Sequence, residues 1–200
     1  MPGKKICVYC GASGKGPARH LQAAKKLGQI IGQENRELIY GGAAIGVMGA
    51  LADAVLDENG RVIGVFPRHS FKRDDQPEDE REIPHDGLSE LHLVNSMHER
   101  KSKMADMADS FVILPGGLGT MDETFEILTW RQLGIHNLPI VLVNLDGYWD
   151  PFVALVDHIV DHNYASAADR NLITVVDTVD DILPTLDQLA EGSADKLELI

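Results

Sequence analysis

The sequence predicts a single doubly wound α/β domain built on a mainly parallel sheet. Three observations predict it. Short apolar runs alternate with longer stretches of helical periodicity along the chain. The short runs are Val/Ile-rich on consecutive residues, as in strands covered on both faces. Several of them run straight into glycine-rich loops, where a strand hands over to a helix.

The elements follow in order. Ile6 to Tyr9 reads as the first strand, and Ala18 to Glu34 as a helix with Leu21, Ala24, Leu27, Gly28 and Ile31 on one face. Glu37 to Tyr40 is a strand that meets Gly41-Gly42. Val47 to Asn59 is a helix closed by Gly60, and Arg61 to Phe66 a third strand. Residues 67–89 carry Pro67, Pro77, Pro84 and many charges, and read as a long excursion of the kind that forms lids or partner surfaces. Glu90 to Val94 is a short extended piece before a helix from Met97 to Ala108. Ser110 to Leu114 and Thr120 to Leu133 form the next strand–helix pair. Pro139 to Asn144, Pro151 to His162, Leu172 to Val176 and Val179 to Leu189 continue the alternation. No repeat or linker divides the chain, so residues 1–190 are expected to be one Rossmann-like domain, with 191–200 a tail. In such folds ligands sit beyond the carboxyl ends of the strands, at the switch point. That singles out the loops at 10–16, 41–46, 66–70, 115–120 and 144–150.

The totals restrict the function. With 200 residues and 44% apolar content the chain can bury one sizeable core. No apolar run approaches the roughly 20 residues of a membrane span. The start does not read as a signal peptide, so a cytoplasmic location is expected. A net charge of −13 argues against nucleic acid as a ligand, because backbone neutralisation needs clustered Lys and Arg. It leaves small phosphates open. Cys7 and Cys10 have C-x-x-C spacing, but they lie on a strand entering a loop. Redox pairs sit at a helix start, where the dipole lowers the thiol pKa. Neither redox nor metal chemistry is expected of them.

Ser110 to Leu114 runs directly into Pro115-Gly116-Gly117-Leu118-Gly119-Thr120. Glycines expose backbone N–H groups, and the following helix adds free amides and a partial positive charge. Strand, glycine loop and helix together make an anion site. The loop is neither G-x-G-x-x-G nor G-K-[ST], so a mononucleotide fits better than a dinucleotide or a nucleoside triphosphate. Thr120 and Glu123 have the spacing of a capping box, which by itself accounts for Glu123. The other reading faces its carboxylate toward the sugar of a bound nucleotide. Local sequence does not choose between them.

A second constellation, Ser96-Met97-His98-Glu99-Arg100-Lys101, opens the preceding helix. Ser96 and Glu99 read as a structural capping box. Arg100 and Lys101 are cations in the first turns, opposed to the helix dipole. Arg100 also falls near the apolar stripe of Met97, Met104 and Met107. A buried guanidinium needs a carboxylate or phosphate partner. A polyanionic ligand explains the placement, and a solvated surface is the alternative. The loop Tyr40-Gly41-Gly42 is read either as a close approach to a ligand or as tight strand–helix packing.

Together these blocks resemble the LONELY GUY (LOG) family of cytokinin riboside 5′-monophosphate phosphoribohydrolases, formerly labelled lysine decarboxylases. The family hallmark PGGxGTxxE is matched from Pro115 through Glu123, and MHxRK by Met97, His98, Arg100 and Lys101. The likeness extends over Cys10-Gly11, Tyr40-Gly41-Gly42, Ile63-Gly64-Val65, Pro67-Arg68 and Trp130 to Gly134, from about residue 5 to 185. Ala12 and Ala43 depart from the usual Ser and Gly. The resemblance implies catalytic roles for Arg100 and Glu123. It implies phosphate binding by Gly116, Gly117, Gly119 and Thr120, and Lys101, Met97, Ser13, Gly41 and Gly42 are expected to complete the substrate contacts. It also implies a homodimer with active sites near the interface, and no metal or organic cofactor. The reaction expected is release of the free base from a nucleoside 5′-monophosphate such as AMP. The alternatives are a nucleotide carrier of the same fold, and lysine decarboxylation, which needs a Schiff-base lysine on pyridoxal phosphate.

Overall fold

A computed structural model describes residues 4–68 and 82–197, with side chains up to residue 191. The elements are β1 (Lys5–Tyr9), α1 (Ala18–Gln33), β2 (Glu37–Tyr40), α2 (Gly46–Asp57), β3 (Arg61–Pro67) and β4 (Glu90–Val94). They continue with α3 (Met97–Met107), β5 (Ser110–Ile113), α4 (Leu118–Gln132), β6 (Ile140–Val143), α5 (Asp150–Asp161), β7 (Thr174–Val176) and α6 (Ile182–Leu197). The sheet has seven strands in the order β4-β3-β2-β1-β5-β6-β7. Every pairing is parallel. The doubly wound expectation is met.

Strand alternation divides the core in two. Ile6, Val8, Leu38, Val112 and Val141 face α1, α2 and α6. Cys7, Tyr9, Ile39, Phe111 and Ile113 face α3, α4 and α5. Residues i and i+2 share a face, so one strand feeds both layers. Gly28 of α1 lies against α2 so closely that a Cβ there would stand 2.5 Å from the Leu51 carbonyl oxygen. None of the helices among the described residues is long and apolar enough to cross a membrane.

Among the boundaries that differ from expectation, three bear on the reading of the chain. The last helix does not stop at Leu189 but runs on to Leu197, into the segment read as a tail. The strand expected from Leu172 begins at Thr174, because residues up to Leu172 close a 3₁₀ turn. The third difference is at α4, which starts at Leu118 rather than Thr120. Of the 67–89 excursion, residues 69–81 lie outside the described residues. Its far end docks on the loop after β2. Ala44 N–H donates to the Ile83 carbonyl at 2.9 Å and His85 N–H to the Gly42 carbonyl at 2.9 Å.

Candidate active site

The chain leaves β1 toward one edge of the sheet and returns at β5 beside it, so the loops after these two strands diverge at the switch point. Gly11 N–H donates to the Pro115 carbonyl at 3.2 Å and ties the loops together at their base. Above them lies a cavity of about 400 Å³. It is lined by Ser13, Met97, Arg100, Gly117, Gly119, Thr120 and Glu123, with Cys10, Gly11, Ala12, Met48, Phe66, Pro67 and Glu82 completing the wall.

Arg100 comes from α3. Ser96 caps this helix, its Oγ accepting from Glu99 N–H at 3.1 Å, while Glu99 Oε2 accepts from Asn95 N–H at 2.7 Å. The expected capping role of Glu99 is met. One residue later Arg100 turns inward and is only 4% exposed. Its Nε donates to the Val65 carbonyl at 3.0 Å and its Nη2 to the Gly41 carbonyl at 2.8 Å. Nη1 stands 3.7 Å from Glu123 Oε1. Backbone carbonyls of β3 and of the β2 loop thus clamp the guanidinium, and one nitrogen remains for the carboxylate and the cavity.

Glu123 comes from α4. Gly117 is the N-cap, with no side-chain cap bond. Thr120 therefore lies inside the first turn, and its hydroxyl cannot serve as the cap of a box with Glu123. The capping account of Glu123 is corrected: the residue lies one turn deeper, 5% exposed, against Arg100. Burial pushes its carboxyl up to about pKa 7, against the opposing pull of the Arg100 charge. A carboxyl poised there exchanges a proton near neutral pH.

Four expected contact residues do not line this cavity. Lys101 turns away along α3, its Nζ 2.9 Å from Asp122 Oδ2 and 3.1 Å from Glu126 Oε1. Burial works against its charge, but the hydrogen bonds it donates to both carboxylates outweigh that and raise its pKa. It braces α3 on α4 because one residue along a helix rotates a side chain by about 100°, so Arg100 and Lys101 cannot point the same way. Gly41 sits behind Arg100. A Cβ there would stand 1.9 Å from Arg100 Nη2, so glycine makes room for the guanidinium. Gly42 turns the chain with φ 79° against β3. Gly116 packs under the cavity floor, where a Cβ would lie 2.0 Å from Thr120 Oγ1.

Nothing in the sequence marked Glu82 as a lining residue, whereas Phe66 belongs to the 66–70 loop that the switch-point rule singles out. Glu82 arrives only because residues 83–85 pair with the β2 loop. Both cysteines are buried and free, and burial, then the Glu123 charge, pushes their thiols well above the ordinary range. That fits the reading of Cys7 and Cys10 as structural.

Fold and site define a doubly wound α/β protein with an uncapped glycine-loop helix and a buried Arg–Glu pair at its switch point. Residues 48–186 match the family described as "possible lysine decarboxylase". The chain is 41% identical to the cytokinin riboside 5′-monophosphate phosphoribohydrolase of Rhodococcoides fascians, over 86% of this chain and 83% of that one. It is 38% identical to the cytokinin riboside 5′-monophosphate phosphoribohydrolase LOG of Oryza sativa subsp. japonica, over 92% of this chain and 73% of the other. The chain belongs to this LOG-type family. Among solved structures, a molybdenum cofactor binding protein of Rippkaea orientalis superposes with TM-score 0.68 at 18% identity, covering 94% of this chain and 98% of that one. The molybdenum cofactor carrier protein of Chlamydomonas reinhardtii superposes with TM-score 0.68 at 20% identity, covering 94% and 98%. At that identity the likeness speaks for the fold.

Proposed function

We propose that this chain hydrolyses the N-glycosidic bond of nucleoside 5′-monophosphates, AMP or cytokinin riboside 5′-monophosphates, releasing free base and ribose 5-phosphate. The observation that carries the reading is the placement of Glu123. It is a buried carboxyl, titrating near neutrality, roughly 8 Å along the helix from an uncapped, glycine-lined N-terminus. Side chains tilt toward the N-terminus of a helix, so the carboxylate leans back toward that end. The separation suits a ribose 5-phosphate, with its phosphate on the amides of Gly117, Gly119 and Thr120 and its anomeric carbon near Glu123. The names of the relatives support the same reaction.

In the step proposed, water adds to C1′ as the bond to the base nitrogen breaks. The electron pair leaves with the base, which takes up a proton. Ionised Glu123 stabilises the oxocarbenium character on the sugar and accepts the proton of the water. Arg100 holds Glu123 in place and contributes positive charge beside the leaving base. Phosphate binding at the loop positions the sugar. Met97 and Ser13 line the same cavity and complete the substrate contacts. None of the lining side chains among the described residues is a lysine, the residue a pyridoxal phosphate decarboxylase needs for its Schiff base.

The protein acts as a homodimer in the cytoplasm in this reading, without nucleic acid, metal or organic cofactor. Leu118, 86% exposed beside the phosphate loop, and Leu133 and Ile135 past the other end of α4 form apolar surface suited to a second copy. The test is incubation of the purified protein with AMP and with isopentenyladenosine monophosphate, with chromatography for free base. Base release is expected from at least one. Nucleotide binding without base release from either points to a carrier and sinks the hydrolase reading.

A further inference from the structure

Three consecutive carbonyls of the 115–117 loop are each turned into a hydrogen bond. The Pro115 carbonyl accepts from Gly11 N–H at 3.2 Å, and the Gly117 carbonyl from Met121 N–H at 3.0 Å. The Gly116 carbonyl accepts from the Tyr148 hydroxyl at 2.6 Å. A loop that binds an anion must present N–H groups and withdraw its oxygens, because a carbonyl facing a phosphate repels it. Two of these tethers are backbone contacts, one from the loop after β1 and one within the first turn of α4. The third is a single side chain from a different loop.

We propose that Tyr148 is a positioning residue for phosphate: its hydroxyl holds the Gly116–Gly117 peptide in the orientation that points the Gly117 N–H at the anion. This rests on the phosphate-loop reading above and deepens it. The peptide is trans, so its C=O and N–H point in opposite directions. With the carbonyl drawn to Tyr148, the Gly117 N–H is aimed away from it. Tyr148 lines a neighbouring cavity of about 470 Å³ and not the one that holds Arg100 and Glu123. Gly117 borders both. A peptide between two glycines has no Cβ on either side to hinder its rotation, so it needs an external hold.

Tyr148 is itself fixed. It follows a 3₁₀ turn at Leu145–Gly147 and precedes α5. Asn144 staples this corner, Oδ1 accepting from Trp149 N–H at 2.7 Å and Nδ2 donating to Asp150 Oδ1 at 2.8 Å. The phenol ring meets the His20 ring edge-on at 5.2 Å and the Trp149 ring at 4.9 Å. The hydroxyl therefore acts from a rigid corner on an otherwise pliant peptide.

The test is Tyr148→Phe, which keeps both ring contacts and removes only the hydroxyl. Calorimetric titration with inorganic phosphate and with ribose 5-phosphate should show affinity reduced about fivefold, the worth of one net hydrogen bond. In base-release assays with AMP, KM should rise by about the same factor while kcat falls less than twofold. Phosphate affinity equal to wild type, or a loss confined to kcat, overturns the proposal. The binding arm needs no turnover, so a wild-type protein that binds ribose 5-phosphate yet releases no base defeats the hydrolase reading while leaving Tyr148 testable. Wild-type protein that binds neither anion overturns the assignment of Tyr148.

Discussion

Helices α3 and α4 begin with the same local grammar and end up with opposite chemistry. Each has a hydroxyl residue followed three positions later by a glutamate, Ser96 with Glu99 and Thr120 with Glu123. At α3 the box closes: Ser96 accepts from Glu99 N–H, and Glu99 reaches back to Asn95 N–H from an exposed position. At α4 the helix starts earlier, at Leu118 with Gly117 as its N-cap, and no side chain caps it. Glu123 is then buried against Arg100 instead of reaching back. A helix end closed by its own side chains has fewer free amides for a ligand than an open one at a switch point.

The largest effect should separate the two glutamates. Glu123→Gln is expected to lower base release from AMP by about 10³-fold, while Glu99→Gln changes it by less than about threefold. Equal losses in the two variants erase the distinction between the helices.

Next in size is the pH response. Glu123 is held at about pKa 7 by burial, so activity should climb as pH rises through 7 and the carboxylate forms. Stability runs the other way. Its folded pKa lies above the ordinary carboxyl value of about 4.5, so its contribution is complete below about 4.5 and is lost as pH rises through about 7. Glu123→Gln removes this dependence. The unfolding free energy of the variant relative to wild type should therefore rise by roughly 3 kcal/mol between pH 4 and pH 8. A constant difference across that range would show that the carboxyl titrates normally.

Gly119→Ala probes the open helix end. A Cβ at residue 119 meets nothing within 4 Å, so the fold accepts it, with a stability change between zero and a gain of about 1 kcal/mol. Crowding of the anion should raise KM for AMP about tenfold, the scale of one charged hydrogen bond. Unaltered KM in a stably folded variant would move the phosphate away from this turn. Ser96→Ala is expected to have the smallest effect, loss of about 1 kcal/mol in denaturant unfolding, with KM for AMP within twofold of wild type.

Much of the fold could be read from the chain because its signals are local. Short continuous apolar runs and period-3.6 patterns place the strands and helices, and glycines at strand–helix joints mark the loops of the switch point. Arg100 was conspicuous for the same reason, since a cation in a first turn beside a methionine stripe has no local justification. The errors arose where neighbours in sequence diverge in space. Lys101 adjoins Arg100, yet it braces α4 through Asp122 and Glu126. Glu82 belongs to a segment with no periodic pattern, and backbone pairing with residues 42–44 brings it to the cavity.

The sequence by itself determined the order of elements, the glycine loop at 115–120 and the Arg100–Glu123 candidates, since each depends on residues a few positions apart. Tertiary structure alone decided that Glu123 is a buried group near pKa 7 and not a cap, that Lys101 faces away, and that Tyr148 holds Gly116. Burial, pairing and peptide orientation depend on which distant segments meet, and that is settled by packing across the sheet rather than by any local pattern.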